Sequence, residues 1–214
     1  MYLSKPDILA RIHEIVECPA PGDAKSWQEL QNQTKEAHLE LRLGAEAFVT
    51  KDQVPRRLSE TDQFLSIPPG EFALLTTYEE LTIPGNLTAF ISIRFRYKIL
   101  GLVNISGFHV DPLFRGRIVF SVYNVGPGDI VLRYKDPIFM IFFAELKTQL
   151  HGTREGEFQN QRHLKTETVI SLKAAGLSLT TLERRLTRLE IILMIIGGLF
   201  IPLFGLVIGL ILRH

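Results

Sequence analysis

Residues 191–212 run for 22 positions without one charged side chain, and nothing else in the chain restricts its fold so strongly. At about 1.5 Å of rise per residue, a helix of that length crosses the roughly 30 Å hydrocarbon core of a bilayer. Buried helices of soluble domains seldom stay wholly apolar beyond about 20 residues. The run lies at the far end of the sequence, so it does not read as a cleaved secretory signal. We therefore expect a single transmembrane helix over 191–212. Arg184, Arg185 and Arg188 precede it, and only Arg213 and His214 follow. By the positive-inside bias the preceding residues face the cytoplasm, which for a bacterial chain means the inner membrane.

A net charge of +1 offers no electrostatic case for binding long nucleic acid, which calls for clustered Lys and Arg. The single cysteine, Cys18, can form no internal disulfide and has no partners at metal-ligand spacing, as suits a reducing compartment. No metal site is expected from the sequence.

Residues 1–150 suffice for one domain with its own core. Ser4-Lys5-Pro6-Asp7 followed by Ile8, Leu9, Ile12 and Ile15 predicts a capped amphipathic helix, and the polar stretch 19–35 predicts a loop or a loosely packed helix. From about residue 38 to 146 the texture is mainly β. Short runs rich in Val, Ile and Phe are separated by Pro68-Pro69-Gly70, Pro84-Gly85-Asn86 and Gly126-Pro127-Gly128-Asp129, the spacing of an all-β barrel or sandwich. Ile91, Ile93 and Phe95 alternate with Ser92, Arg94 and Arg96, predicting a strand with one buried face. Residues 118–122 and 137–143 are largely apolar on both faces and read as strands between layers or subunits.

Residues 151–166 are polar and read as a linker. Over 167–190 a second period takes over: Leu172, Ala175, Leu179, Leu182, Leu186 and Leu189 recur at alternating steps of three and four, and the register continues through Leu193, Ile196 and Phe200. Such a seam packs against copies of itself, so Leu179, Leu182, Leu186 and Leu189 are candidate oligomerisation residues of a helical stalk. Leucine at nearly every seam position separates a trimer from a tetramer poorly.

Four blocks of the β region resemble the dCTP deaminase and dUTPase family. They are Leu39-Glu40-Leu41-Arg42-Leu43-Gly44; Ile67-Pro68-Pro69-Gly70-Glu71-Phe72-Ala73-Leu74; Thr77-Tyr78-Glu79 with Ile83-Pro84; and Val110-Asp111-Pro112-Leu113-Phe114-Arg115-Gly116-Arg117-Ile118. The resemblance implies a distorted, jelly-roll-like β-barrel of the dUTPase type, three-fold assembly with pockets between subunits, and a nucleotide ligand. It also implies a catalytically degenerate site. The family's Arg-Ser-Ser segment, which binds triphosphate, reads Arg94-Phe95-Arg96 here. The position of its catalytic glutamate reads Ser121, and that of its phosphate-binding glutamine reads Ile141. A serine hydroxyl is no general base near neutral pH.

The candidate ligand-binding residues are thus Arg94, Arg96, Asp111, Phe114 and Arg115. The plainer alternatives are that Asp111 caps its own turn and that Arg115 and Arg117 are solvated turn residues. The expected function is a membrane-anchored sensor: a degenerate domain binding a nucleotide or short oligonucleotide controls an oligomeric helix bundle, extending to pore formation in antiviral defence. One alternative is a membrane-anchored dUTP or dCTP diphosphatase, with Asp111 and Mg²⁺ activating water. The other is a ligand-free oligomeric scaffold.

Overall fold

The structure, a computed structural model, describes residues 1–17, 24–52, 54–175 and 186–198. The chain divides into two compact units, Met1–Gly176 and Leu177–His214.

The first unit opens with α1 (Lys5–Ile15). The Ser4 N–H and hydroxyl both donate to the Asp7 carboxylate, at 3.0 and 2.5 Å, which fixes the start of the helix. Spacing at i, i+4 and i+7 then places Ile8, Ile12 and Ile15 in the core. The strand β1 (Val16–Glu17) and helix α2 (Ala24–Gln33) follow, and Leu30 is the buried anchor of α2.

The β region then runs β2 (Leu39–Val49), β3 (Arg56–Arg57), β4 (Phe64–Ile67), β5 (Phe72–Thr77), β6 (Glu80–Thr82) and β7 (Leu87–Ile93). After the helical turn α3 (Phe95–Lys98) come β8 (Leu102–Asn104), β9 (His109–Val110), β10 (Arg115–Gly116), β11 (Val119–Asn124), β12 (Ile130–Arg133) and β13 (Pro137–Glu145). Among the described residues the main sheet has the order β8-β11-β5-β2-β13-β7-β9, with β3 on β2. A second sheet is β1-β6-β10, and β4 pairs with β12.

The long strand β2 curls this sheet. Its first half pairs with β13 and its second with β5, with an irregularity between Leu43 and Ala47. Gly44 sits in that irregularity, where a Cβ would lie 2.5 Å from the carbonyl oxygen of Thr77; only glycine lets the strands approach so closely. Inside the curl, Phe120 and Phe139 stack with ring centroids 3.9 Å apart. The core combines buried residues of α1, β2, β5, β7, β11 and β13.

The expected alternation holds along β7, where Leu87, Ala89, Ile91 and Ile93 are buried. It stops two residues earlier than predicted. Arg94 N–H donates to Ile138, the chain turns into α3, and Phe95 is exposed rather than buried. The local period cannot show this, because the strand ends where its neighbour β13 stops offering partners. In β11 the burial alternates strictly, so the apolar residues on its other face are partly exposed.

Residues 151–165 carry no helix or strand of their own, yet they lie against the domain. Gln161 forms a parallel bridge to Gly116, Asn160 N–H donates to Arg115 and Arg117 N–H to Gln161. The segment read as a linker lies against the domain as a docked strap, held by these backbone bonds together with side-chain contacts of Arg154, Gln159, Arg162 and His163. It leads into α4 (Thr166–Ala175), where Val169 is buried against Phe48 and Leu74.

In the second unit residues 186–198 are helical, and Leu186 and Leu189 are exposed. Leu179, Leu182 and most of the expected span, 199–212, lie outside the described residues. Among the described residues no helix is long and apolar enough to cross a membrane.

Candidate functional site

The hairpin from β9 to β10 is built by its turn. Leu113 has a φ of 65°, its N–H donates to Ile83, and Phe114 N–H donates to the Asp111 carbonyl oxygen. Backbone groups therefore close the turn, and the Asp111 carboxylate is left for other partners. It takes Arg154 Nη2 at 2.6 Å and lies 3.3 Å from His109 Nε2.

Beside the hairpin lies a cavity of about 320 Å³. Ile91, Phe114 and Ile118 give it apolar walls, and Asp111, Ser106, Ser121 and Arg117 supply polar groups. The strap closes one side with Arg154, Phe158 and Gln161, and Thr168 of α4 completes it. Asp111 is the only carboxylate in this lining. Among the described residues no three His, Cys, Asp or Glu side chains gather to hold a metal ion. One carboxylate with two serine hydroxyls is too small a donor set for a divalent cation held by the protein alone.

The strap reaches the cavity because β10 offers an edge. At Gly116, with φ 132°, a Cβ would lie 2.8 Å from both N and O of Gln161, so a glycine is required there twice over. Gln159 Nε2 donates to Leu113 and its Oε1 accepts from Arg115 N–H. Farther along, Glu46 accepts from Leu164 N–H at 2.8 Å and meets His163 Nδ1 at 2.6 Å. Burial pushes the Glu46 carboxyl up, but the bonds from His163 and Leu164 outweigh it and hold it below the usual carboxylate range.

A family model described as dCTP deaminase-like matches residues 2–146. The chain belongs to the dCTP deaminase-like family. It is 28% identical to the dCTP deaminase of Pyrococcus abyssi over 128 residues, 60% of this chain and 80% of that protein. It is 34% identical to the dCTP deaminase of Colwellia psychrerythraea over 92 residues, 42% of this chain and 46% of that one. The 2'-deoxycytidine 5'-triphosphate deaminase structure from Agrobacterium tumefaciens superposes with a TM-score of 0.53 at 16% identity, covering 66% of this chain and 48% of that one. That likeness concerns the fold. The chain spans most of the length of the archaeal relative and about half that of the bacterial ones.

Set against this family, the sequence-derived site divides. Asp111 and Phe114 line the cavity, and so does Ser121. Arg94, Arg96 and Arg115 do not line it. Arg94 Nε pairs with Glu40 at 2.9 Å and Nη1 donates to Pro137. Arg96 is exposed over the Tyr97 ring, and Arg115 pairs with Glu17 at 2.5 Å, which holds the Glu17 carboxyl down. Ile141 is fully buried in the core. Arg117 departs from its expected role as a solvated turn residue, since its Nε is buried. Sequence reasoning read Arg117 as a turn residue and did not place Arg154, Phe158 or Gln161 at the site. The one available hint was the run Gly152-Thr153-Arg154-Glu155-Gly156, a charged segment between glycines beside the domain's end.

Proposed function

We propose that the β domain binds a nucleotide or short oligonucleotide as a sensor and passes its occupancy, through the strap and α4, to a self-associating helix that spans a bacterial inner membrane from its cytoplasmic side. The observation that carries this is the cavity itself. Its polar groups can bind, but the one carboxylate among its described lining residues is tied to Arg154, and Ser121 lines it where the resemblance leads one to expect a glutamate. A ligand acts on the bundle only by binding two of its states unequally, and the strap, which contributes both to the cavity and to α4, is a route for that difference.

Homo-oligomerisation, with a trimer favoured and a tetramer allowed by the stalk, finds support in an apolar surface on the β domain: Phe95, Ile99, Leu100, Ile105 and Phe108 are exposed. In the second unit Ile191 to Ile196 are exposed as well, which suits a helix meant for lipid or for copies of itself. Pore formation in antiviral defence extends this reading and would appear as loss of membrane potential in cells.

The deciding experiment is mass spectrometry of small molecules released from the purified full-length protein, followed by thermal-shift measurements with deoxynucleotides and short oligonucleotides. A released nucleotide that raises the unfolding temperature supports the sensor. Absence of any shift favours the ligand-free scaffold. Turnover of dUTP or dCTP with Mg²⁺ that is abolished by Asp111→Asn would replace the sensor with a diphosphatase.

A further inference from the structure

The cavity holds a cation that the described residues leave uncompensated. Arg117 lines it. Its Nε is buried with no hydrogen-bond partner, and its Nη1 makes only a long 3.4 Å contact to the carbonyl oxygen of Arg162. Arg117 forms no ion pair among the described residues, whereas its neighbours Arg115 and Arg162 are paired with Glu17 and Glu80. A buried charged donor without an acceptor is unfavourable. Arg154, placed by the strap on Asp111, lines the same cavity. Two guanidiniums thus face a space that contains a single carboxylate, and the balance favours an incoming anion.

We infer that Arg117 anchors the phosphate of the ligand, and that Arg154 exchanges Asp111 for that phosphate when the ligand enters. The inference rests on the nucleotide reading above and places an anion subsite at the hairpin and the strap. Planar guanidiniums bind phosphate oxygens through two parallel hydrogen bonds each. Release of Asp111 frees a carboxylate to accept from a hydroxyl or amino group of the same ligand. A nucleoside lacking phosphate has to displace Arg154 from Asp111 with no replacement partner for the guanidinium, so the site discriminates against it. Because Arg154 belongs to the strap, only the phosphorylated ligand draws on the segment that leads to α4.

Calorimetry on the full-length protein in detergent, with EDTA present, tests this with deoxycytidine, deoxyuridine and their mono- and triphosphates. Arg117→Gln is expected to weaken the phosphorylated ligands by about tenfold or more and to leave the nucleosides unchanged, with Arg117→Lys intermediate. Arg154→Gln is expected to shift the two classes oppositely, with nucleosides tighter and nucleotides weaker. Thermal unfolding without ligand separates binding from folding defects. Unchanged nucleotide affinity in Arg117→Gln, or an equal loss for both classes, overturns the inference and leaves the nucleotide reading standing. Failure of the wild-type protein to bind any of these ligands overturns both.

Discussion

Arg42 with Glu79 and Arg154 with Asp111 are chemically the same pair at nearly the same distance, 2.7 and 2.6 Å, and they do opposite jobs. Glu79 is fully buried and Arg42 nearly so, whereas Arg154 and Asp111 are 34% and 44% exposed. Glu79 accepts from both Nε and the backbone N–H of Arg42, whose guanidinium also lies over Tyr78 and reaches Glu29. Burial pushes the Glu79 carboxyl up, against the pull of Arg42. That pair ties β2 to the turn before β6 and cannot open without stranding a charge. The cavity pair has water to return to, so it can be exchanged. Separation alone does not rank ion pairs; desolvation does.

The largest test of this contrast is Arg42→Ala, which should cost about 3–5 kcal/mol of stability by leaving Glu79 buried and unpaired. Urea unfolding of the full-length protein measures it, and a loss below about 1 kcal/mol would erase the distinction. Gly116→Ala should come next, at about 1–3 kcal/mol, since it forces a side chain into a left-handed backbone and into Gln161. Hydrogen exchange should then rise at Arg117 and along residues 159–164 while β2 and β13 stay protected; uniform loosening would mean that the strap is part of the core.

Asp111→Asn should change stability by less than about 1 kcal/mol, because its ion pair is solvated, yet weaken nucleotide binding by about tenfold. A stability loss matching that of Arg42→Ala would show the two pairs to be alike. The smallest effect concerns Glu46. Its carboxyl is depressed in the folded chain, so its contribution is present above the ordinary value of 4.5 and is lost as pH falls through the lower folded value. Strap protection should therefore weaken progressively in acid below about pH 4.5, by less than about 1 kcal/mol. Glu46→Gln should flatten this dependence, and an unaltered acid profile in that variant would assign it elsewhere.

Much of the frame was legible because its signals are local. The Ser4 to Asp7 start and the spacing of Ile8, Ile12 and Ile15 describe α1, and the alternation from Leu87 to Ile93 describes β7. The hairpin residues Asp111 and Phe114 were found through a motif contiguous in sequence. That Arg94 pairs with Glu40, far back on β2, was not legible, because motif spacing says nothing about which carboxylate claims a guanidinium. Polar residues 151–166 read as a linker because the partners of their side chains, Glu17, Glu46, Glu80 and Asp111, lie far back in the chain, and their two backbone bonds to the domain use groups that every residue type possesses.

By itself the sequence determined the family, the β texture, the apolar character of 191–212 and the presence of Asp111 in a turn, all properties of neighbours along the chain. Only the tertiary structure decided that Arg154, 43 positions beyond Asp111, holds its carboxylate, that Arg117 has no counterion among the described residues, and that a strap closes the cavity. Those facts depend on which distant groups the curled sheet brings within hydrogen-bond reach, and on which of them it shields from water.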